Sequence, residues 1–222
     1  MSERIKIFVG GFGSGKTEIA INYSLYCKKS HKQVAIVDLD IVNPYFRSRE
    51  AKEALNLKGV KMVAPEGKFT YTDVPLISPE IKGLIQNPDY LVILDVGGDD
   101  VGSVVLGNFR DFIKDFPYEM LLVVNSYRPF TRNISQIKQM IEEIENSSRL
   151  KVNGIVSNPN LSIQTDEKII KKGHSLIKEV AKKLKIPIKF VCMDERFLKI
   201  IKKENFEEKI FYIKPFMKLP WY

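Results

Sequence analysis

The segment Gly10–Thr17, with the letters GGFGSGKT, constrains the fold of this chain more than any other feature. It fits the pattern G-x-x-x-x-G-K-[ST] and directly follows the apolar run Ile5–Val9. A strand, a glycine-rich turn and a helix start together form a loop whose backbone N–H groups point at one phosphate chain. The sequence therefore predicts a nucleotide-phosphate site at the first strand-to-helix turn of an α/β domain.

Each position of this loop has a predicted role. Lys16 is expected to reach the β- and γ-phosphates and to act in catalysis, and Thr17 to bind Mg²⁺. Backbone contacts to the phosphates are expected from the residues before Lys16, namely Gly11, Phe12, Gly13, Ser14 and Gly15. A glycine-rich turn without a ligand is the alternative, and the strand before the loop and the helical pattern after it argue against that alternative.

Short apolar runs alternate with longer helical patterns along all 222 residues. This alternation predicts an α/β fold in one P-loop domain, 1–222, with a doubly wound, mostly parallel sheet flanked by helices on both faces. The predicted strands are Ile5–Val9, Val34–Val37, Val60–Ala64, Leu91–Leu94, Met120–Val124, Val152–Val156 and Ile188–Val191. The predicted helices are Lys16–Lys28, Phe46–Leu55, Ile81–Ile85, Val101–Phe112, Ile134–Ile144, Ile169–Leu184 and Phe197–Ile201.

Two carboxylates, Asp38 and Asp40, close the second predicted strand. Ligands of such sheets gather at the carboxyl ends of the strands. Carboxylates beside a magnesium triphosphate hold a water of the metal shell or orient the attacking water. We assign Asp38 to the metal and Asp40 to the water, and count both as catalytic. In the alternative, one of them caps the turn near Asn43-Pro44.

The letters DVGG, from Asp95 to Gly98, end the most apolar strand. This arrangement indicates a magnesium-linked Asp95 followed by a glycine whose N–H approaches the γ-phosphate, so that hydrolysis releases the loop. Asp99 and Asp100 follow at once, and either tune this switch or cap the helix near Val101.

Asn158 closes a later strand, and its side-chain amide can read both a donor and an acceptor on a base. Pro159 follows it, and the Lys-x-Asp pattern that reads guanine is missing. The sequence therefore favours ATP or ADP, together with Mg²⁺, as the cofactors. A turn-forming Asn-Pro is the alternative.

Charge and hydropathy bear on nucleic-acid binding, membrane attachment and the location of the protein in the cell. The net charge is +8, but lysines and acids are interspersed, which favours a charged surface over a nucleic-acid partner. No apolar stretch approaches the length of a membrane span, and the first strand leaves no room for a signal peptide, so a cytoplasmic location is expected. Pro215 and Pro220 interrupt the tail, which argues against an amphipathic membrane-binding helix.

The cysteines and histidines give no catalytic set. Cys27 and Cys192 form no C-x-x-C pair and are predicted to be buried free thiols. His31 and His174 have no obvious partner, so both are predicted at the surface. The sequence contains no apparent Ser/His/Asp or Cys/His set.

Taken together, the loop, Asp38-x-Asp40, Asp95-x-x-Gly98 and Asn158 resemble one branch of P-loop proteins, the MinD/ParA/ArsA-like branch of the SIMIBI class. That branch includes the cobyrinic-acid-synthase nucleotide domain and carbon-monoxide-dehydrogenase maturation ATPases. The resemblance covers nearly the whole chain. It implies a magnesium-dependent ATPase that acts as a nucleotide-driven switch for a protein partner or in metallocentre maturation.

One position departs from this family. Its loop reads G-K-G-G-x-G-K-[ST], and Gly11 stands where the first, signature lysine would be. In the family that lysine crosses to the partner's nucleotide in a sandwich dimer, so a homodimer around nucleotide is left open. Arg47 or Arg49 is a candidate for the replacement charge, and solvent-facing positions are the alternative for both.

Two further functions remain open. One is a phosphotransferase or ATP-dependent ligase, with an acceptor pocket formed by Arg47, Arg49 and the loop Pro65–Pro79. The other is a nucleotide-binding module that regulates a partner by occupancy alone.

Overall fold

Parallel strands organise the described part of the chain. The computed structural model describes residues 3–40, 48–63, 78–98 and 100–216. The strands are β1 (Ile5–Val9), β2 (Gln33–Leu39), β3 (Val60–Val63), β4 (Tyr90–Val96), β5 (Tyr118–Val124), β6 (Gly154–Ser157), β7 (Ile188–Asp194) and β8 (Ile210–Ile213). They form one sheet in the order β3-β2-β4-β1-β5-β6-β7-β8. Every neighbouring pair in this order is parallel.

Helices cover both faces of this sheet. They are α1 (Lys16–Lys28), α2 (Ser48–Leu57), α3 (Pro79–Gln86), α4 (Asp100–Asn108), α5 (Arg110–Ile113), α6 (Ile134–Ser148) and α7 (Glu167–Leu184). Side chains of α1 and α2 belong to one buried cluster, and those of α3 to α7 pack against the opposite face. The predicted fold class, a doubly wound α/β sheet flanked on both faces, is confirmed.

Alternation along the strands explains why both faces are apolar. In β1, Ile5, Ile7 and Val9 belong to the buried cluster of one face, whereas Phe8 belongs to the cluster of the other. Successive side chains of a strand point to opposite faces, so a continuous apolar run is what a strand between two helix layers requires.

The structure corrects three of the predicted elements. The single helix predicted over Val101–Phe112 is two helices, α4 and α5, separated at Phe109. The helix predicted over Phe197–Ile201 is wrong, because a short 3₁₀ turn, Glu195–Phe197, stands there instead. The tail adds a strand, β8, that the sequence analysis did not predict.

The strand order brings the predicted site together. β1 lies between β4 and β5, and β2 lies beside β4. Asp38 of β2 is the register partner of Asp95 of β4, which in turn faces Phe8 at the end of β1. The loop after β1 and the carboxylates of β2 and β4 therefore meet at one edge of the sheet.

Candidate functional site

The loop Gly10–Thr17 curls around the ammonium group of Lys16. Lys16 Nζ donates to the Gly11 carbonyl oxygen at 3.2 Å, and the Ser14 N–H closes a turn on the same carbonyl at 3.2 Å. Gly15 precedes α1 with a φ of 93°, a left-handed conformation that glycine adopts without steric cost. Lys16 is only 7% exposed, so its charge is held in the loop where the first N–H groups of α1 also point.

Gly98 lies directly against this loop. A Cβ atom at Gly98 would lie 2.8 Å from Lys16 Nζ and 2.8 Å from the backbone nitrogen of Phe12. Only glycine fits such a close approach of two backbones. The structure thus brings together the residue predicted to sense the γ-phosphate and the lysine predicted to bind it.

Asp95 presents a buried oxygen atom suited to a cation. Its carboxyl group accepts a hydrogen bond from the Thr17 hydroxyl, and the residue is 3% exposed. Its Oδ1 is buried and has no hydrogen-bond partner among the described residues. A buried carboxylate oxygen without a partner is costly, and a carboxylate together with a hydroxyl suits Mg²⁺, so these two residues fit a magnesium ion.

Protein side chains alone do not complete a metal site here. The described residues contain no group of three or more His, Cys, Asp or Glu side chains that could hold an ion. Mg²⁺ in proteins is commonly bound by one or two carboxylates together with substrate phosphates and water. The arrangement of Asp95 and Thr17 therefore fits an ion that arrives with a phosphate-bearing ligand.

Asp38 and Asp95 form a pair of carboxyl groups with shifted pKa values. Burial and the negative charge of Asp95 raise the pKa of Asp38 to about 8, although the Asp40 N–H donates to Asp38 Oδ1 at 2.9 Å. Burial also raises the pKa of Asp95, to about 6, against the opposing effects of Lys16 and Thr17. A divalent cation beside this pair would favour the ionised forms, so its binding would release protons. Asp40, predicted to position the water, follows β2 and is half-buried.

Two side chains from neighbouring strands hold the loop in place. Asn158, after β6, donates from Nδ2 to the Ser14 carbonyl at 2.7 Å, and its predicted contact with the base stays a prediction. Arg128, after β5, donates from Nε to the Gly13 carbonyl at 3.0 Å. Arg128 was not predicted from the sequence. Its position just after β5, the strand that pairs with β1, places it near the loop, but this can be recognised only when the strand order is known.

Gly11, where the family's loop has a lysine, faces α6. A Cβ atom at Gly11 would lie 3.0 Å from the methyl group of Met140. A longer side chain at this position would therefore require the flexible end of Met140 to shift. Arg47 lies outside the described residues, and Arg49 is the second residue of α2 with no described side chain, so the replacement charge stays a prediction.

Several other predictions fall outside the described residues. They concern Asn43-Pro44, most of the loop Pro65–Pro79, Asp99 and Pro220. Asp100 is the first residue of α4.

His174 is buried, so its predicted place at the surface is wrong. It is 5% exposed, and its Nδ1 lies 3.0 Å from the hydroxyl of Ser157. Its Nε2 lies 3.0 Å from a carboxylate oxygen of Glu208. This Ser–His–Glu set escaped the sequence analysis because its members come from β6, α7 and the segment before β8. Ser157 is 0% exposed, so the set is a structural network rather than a nucleophilic centre.

Replacing His174 by Ala is expected to destabilise the fold by about 2–3 kcal/mol, because it opens a cavity and leaves the buried Ser157 hydroxyl and the partly buried Glu208 carboxylate without this partner. Urea unfolding at pH 7 measures the free energy. The exposed His31→Ala is the control, with a change within about 0.5 kcal/mol. Equal effects for the two variants would contradict the network.

The pKa of His174 also predicts how acid affects stability. Burial lowers this pKa, and the nearby Glu208 opposes the shift. A folded-state pKa below the unfolded value means that the unfolded chain takes up the proton first. The contribution of His174 to stability is therefore lost as the pH falls through the unfolded value of about 6.5, and His174→Ala should lack this loss.

The two thiols lie where they were predicted. Cys27 and Cys192 are both free and buried, and burial raises the pKa of each thiol. None of the helices in the described ranges has both the length and the apolar character that crossing a membrane requires.

Comparisons with known proteins place the fold. No protein-family model matches the sequence, and no curated protein matches it. Among solved structures, the cell division protein FtsY of Thermotoga maritima matches 85% of this chain and 61% of its own length, with 21% identity and a TM-score of 0.55. The 54 kDa signal recognition particle protein of Aeropyrum pernix, in complex with GDP, matches 86% of this chain with 16% identity and a TM-score of 0.53.

A third structure, FlhF complexed with GTP and Mg²⁺, matches 85% of this chain with 14% identity and a TM-score of 0.52. The chain spans 61%, 41% and 64% of the lengths of these three proteins. Together they show that this chain has the fold of the SIMIBI class of P-loop NTPases. Membership of the MinD/ParA/ArsA-like branch is a finer statement and stays a prediction.

Proposed function

We propose that this chain binds a nucleoside triphosphate with Mg²⁺, hydrolyses it and acts as a nucleotide-driven switch. The observation that carries the proposal is the unpartnered Oδ1 of buried Asp95, beside the Thr17 hydroxyl. A cation at that place lies next to Lys16, whose ammonium group is held in the loop. The neighbouring structures support the fold on which this proposal rests and not the reaction itself.

The residues divide the work as follows. The loop N–H groups and Lys16 bind the phosphates, while Thr17 and Asp95 would hold Mg²⁺, which would supply charge neutralisation for the phosphates. Asp38 or Asp40 accepts a hydrogen bond from the attacking water and orients it. The N–H of Gly98 donates to the γ-phosphate. Release of this phosphate after hydrolysis removes the hydrogen bond and frees the segment that follows β4.

The base is proposed to be adenine. The support is sequence-based, since Asn158 is present and a Lys-x-Asp pattern is not. Two of the similar solved structures favour guanine instead, because they were crystallised with guanine nucleotides. Calorimetric titration with Mg·ATP and with Mg·GTP decides between the two, and we expect the tighter binding for Mg·ATP.

The reaction is tested by a single-turnover measurement with the nucleotide that binds. A switch releases free phosphate with water alone, and a phosphotransferase or ligase needs an acceptor. The second function stays a candidate because an open cavity lies beside Gly98. A protein partner or a role in metallocentre maturation, a homodimer and a cytoplasmic location remain predictions from the sequence.

Replacing Gly98 by Ala is expected to slow phosphate release by about 100-fold while ADP binding stays within a few-fold of the wild type. The added methyl group would meet Lys16 Nζ and the Phe12 nitrogen at 2.8 Å, so the N–H of residue 98 can no longer approach the γ-phosphate. Phosphate-release kinetics and ADP titration measure the two effects. Gly83→Ala is the control, because its Cβ meets nothing within 4 Å. Unchanged turnover in Gly98→Ala would contradict the sensing role.

A further inference from the structure

A cavity of about 560 Å³ lies beside the phosphate-binding loop. It is lined by Gly10–Phe12, by Gly97–Gly98, by Ser103 of α4 and by residues of α6. A volume of this size is typical of sites for small organic molecules. The residues that line it do not include Thr17, Asp38, Asp95 or Asn158, so the cavity is distinct from the proposed metal and base contacts.

The cavity shares one wall with the γ-phosphate position. Gly98 lines it, and a Cβ at the same residue would lie 2.8 Å from Lys16 Nζ. Phe12 also lines it, and its side chain is 78% exposed at the mouth. A molecule in the cavity would therefore touch the two backbone segments that the γ-phosphate is proposed to order.

The charge of the lining defines the ligand. Among the lining residues that the structure describes, Glu143 is the one charged residue, and none is a lysine or arginine, in a chain with a net charge of +8. Gln139 Nε2 donates to Glu143 Oε1 at 2.8 Å, which orients the carboxylate along α6. Apolar surface comes from Met140, Ile144 and Phe130, the last of which is 73% exposed.

We propose that this cavity binds a small organic molecule that carries a primary ammonium group on a short apolar body. The ammonium group binds Glu143, and the body covers Met140 and the exposed phenyl ring of Phe130. Occupancy is coupled to the nucleotide through Gly98, so the ligand and the triphosphate alter each other's affinity by the same factor. This coupling rests on the proposed function, whereas binding of the amine does not.

The test uses three probes of equal length: n-hexylamine, n-hexanol and hexanoate. The full-length protein, labelled with ¹³C at the methionine methyl groups, is titrated at pH 7 without nucleotide, and Met140→Leu assigns the Met140 resonance. We expect n-hexylamine to shift that resonance with a Kd about threefold lower than n-hexanol, because its hydrogen bond to Glu143 is charge-assisted but Glu143 is exposed to solvent. Hexanoate should bind more weakly than either.

Glu143→Gln should remove the preference for the amine. Glu142→Gln is the matched control, because Glu142 is on the same helix, does not line the cavity and instead pairs with Lys138 at 3.4 Å. Equal Kd values for n-hexylamine and n-hexanol, or the same loss in both variants, would overturn the proposal. A failure of all three probes to shift Met140 would overturn it as well.

A second titration separates the cavity from the proposed function. With a non-hydrolysable Mg·ATP analogue present, the Kd of n-hexylamine should change at least threefold, and Lys16→Ala should lose this change while still binding the amine. If the amine binds but no nucleotide does, the proposed function fails and the cavity site stands. If the nucleotide binds and the amine Kd stays the same, the coupling is wrong.

Discussion

Replacing Lys16 by Ala is expected to weaken the binding of Mg·ATP and Mg·GTP by at least about 100-fold, the scale of losing a buried charge-assisted contact to phosphate. The physical reason is that Lys16 brings a positive charge into a loop in which it is 7% exposed. Without it, the loop N–H groups face the phosphate charges alone. Isothermal titration calorimetry with each nucleotide measures the loss.

Lys29→Ala is the matched control, because Lys29 is an exposed lysine at the end of the same helix. It should bind nucleotide as the wild type does, and both variants should keep the wild-type circular dichroism spectrum. If Lys16→Ala binds Mg·ATP or Mg·GTP as tightly as Lys29→Ala does, the loop is a glycine-rich turn without the proposed ligand. The proposed function would then fail at its first step.

The sequence predicted the elements in which periodicity and turn chemistry agree. β1 and α1 have the predicted ends, because an apolar strand, a glycine-rich loop and a helical segment follow each other directly. β2, β4, β5 and β7 are longer than predicted, whereas β6 begins two residues later than predicted, at Gly154, and ends at Ser157. β2 runs over Gln33–Leu39 because its backbone continues to pair with β4 beyond the apolar residues, and a ladder of backbone hydrogen bonds does not depend on side-chain polarity.

β8 and the turn at Phe197 depend on contacts between residues that are distant in sequence, and the local pattern of apolar residues does not reveal such contacts. Phe211 of β8 packs edge-on against Tyr26 of α1, with ring centroids 5.6 Å apart. It also lies 5.3 Å from the ring of Phe190 in β7. These partners are distant in sequence, so the short aromatic run before Pro215 becomes an edge strand only when the sheet is assembled.

The same limit applies to the candidate site. The closeness of Lys16, Asp95 and Gly98 was predictable because parallel strands bring their carboxyl ends to one edge, whereas their roles stay predictions. The contacts of Arg128 and Met140 required knowledge of which strand and which helix neighbour β1. His174 was wrongly predicted at the surface, because a polar residue within a lysine-rich helix gives no local sign of a buried partner. That partner is Ser157 of β6, which only the assembled fold brings next to α7.

Replacing Asp95 by Asn is expected to lower the rate of hydrolysis and, at the same time, to raise the stability of the fold. Hydrolysis should fall by about 100-fold and lose its dependence on Mg²⁺, because the anionic oxygen that fits the ion is gone. The folded protein without nucleotide should become more stable at pH 8, with a melting temperature higher by about 3 °C or more. The reason is that removing one charge of the Asp38–Asp95 pair relieves both burial cost and repulsion.

The direction of the pH dependence follows from the raised pKa values. The pKa of Asp38 rises to about 8 and that of Asp95 to about 6 from an ordinary 3.8. The folded state therefore holds these protons when the unfolded chain has already lost them. Their stabilising contribution is complete below about pH 4 and is lost as the pH rises through 6 to 8. The wild type should lose melting temperature between pH 5 and pH 8 in EDTA, and Asp95→Asn should lose less.

Asp89→Asn is the control for this variant, because Asp89 is an exposed aspartate just before β4. It should keep the magnesium dependence, and its melting temperature should follow the wild-type curve at both pH values. A lower melting temperature of Asp95→Asn at pH 8 would mean that the charge of Asp95 stabilises the fold. This result would contradict our inference that the charge of the unpartnered Asp95 oxygen is costly in the absence of an ion. Unchanged magnesium dependence in Asp95→Asn would remove Asp95 from the metal site, and with it the observation on which the proposed function rests.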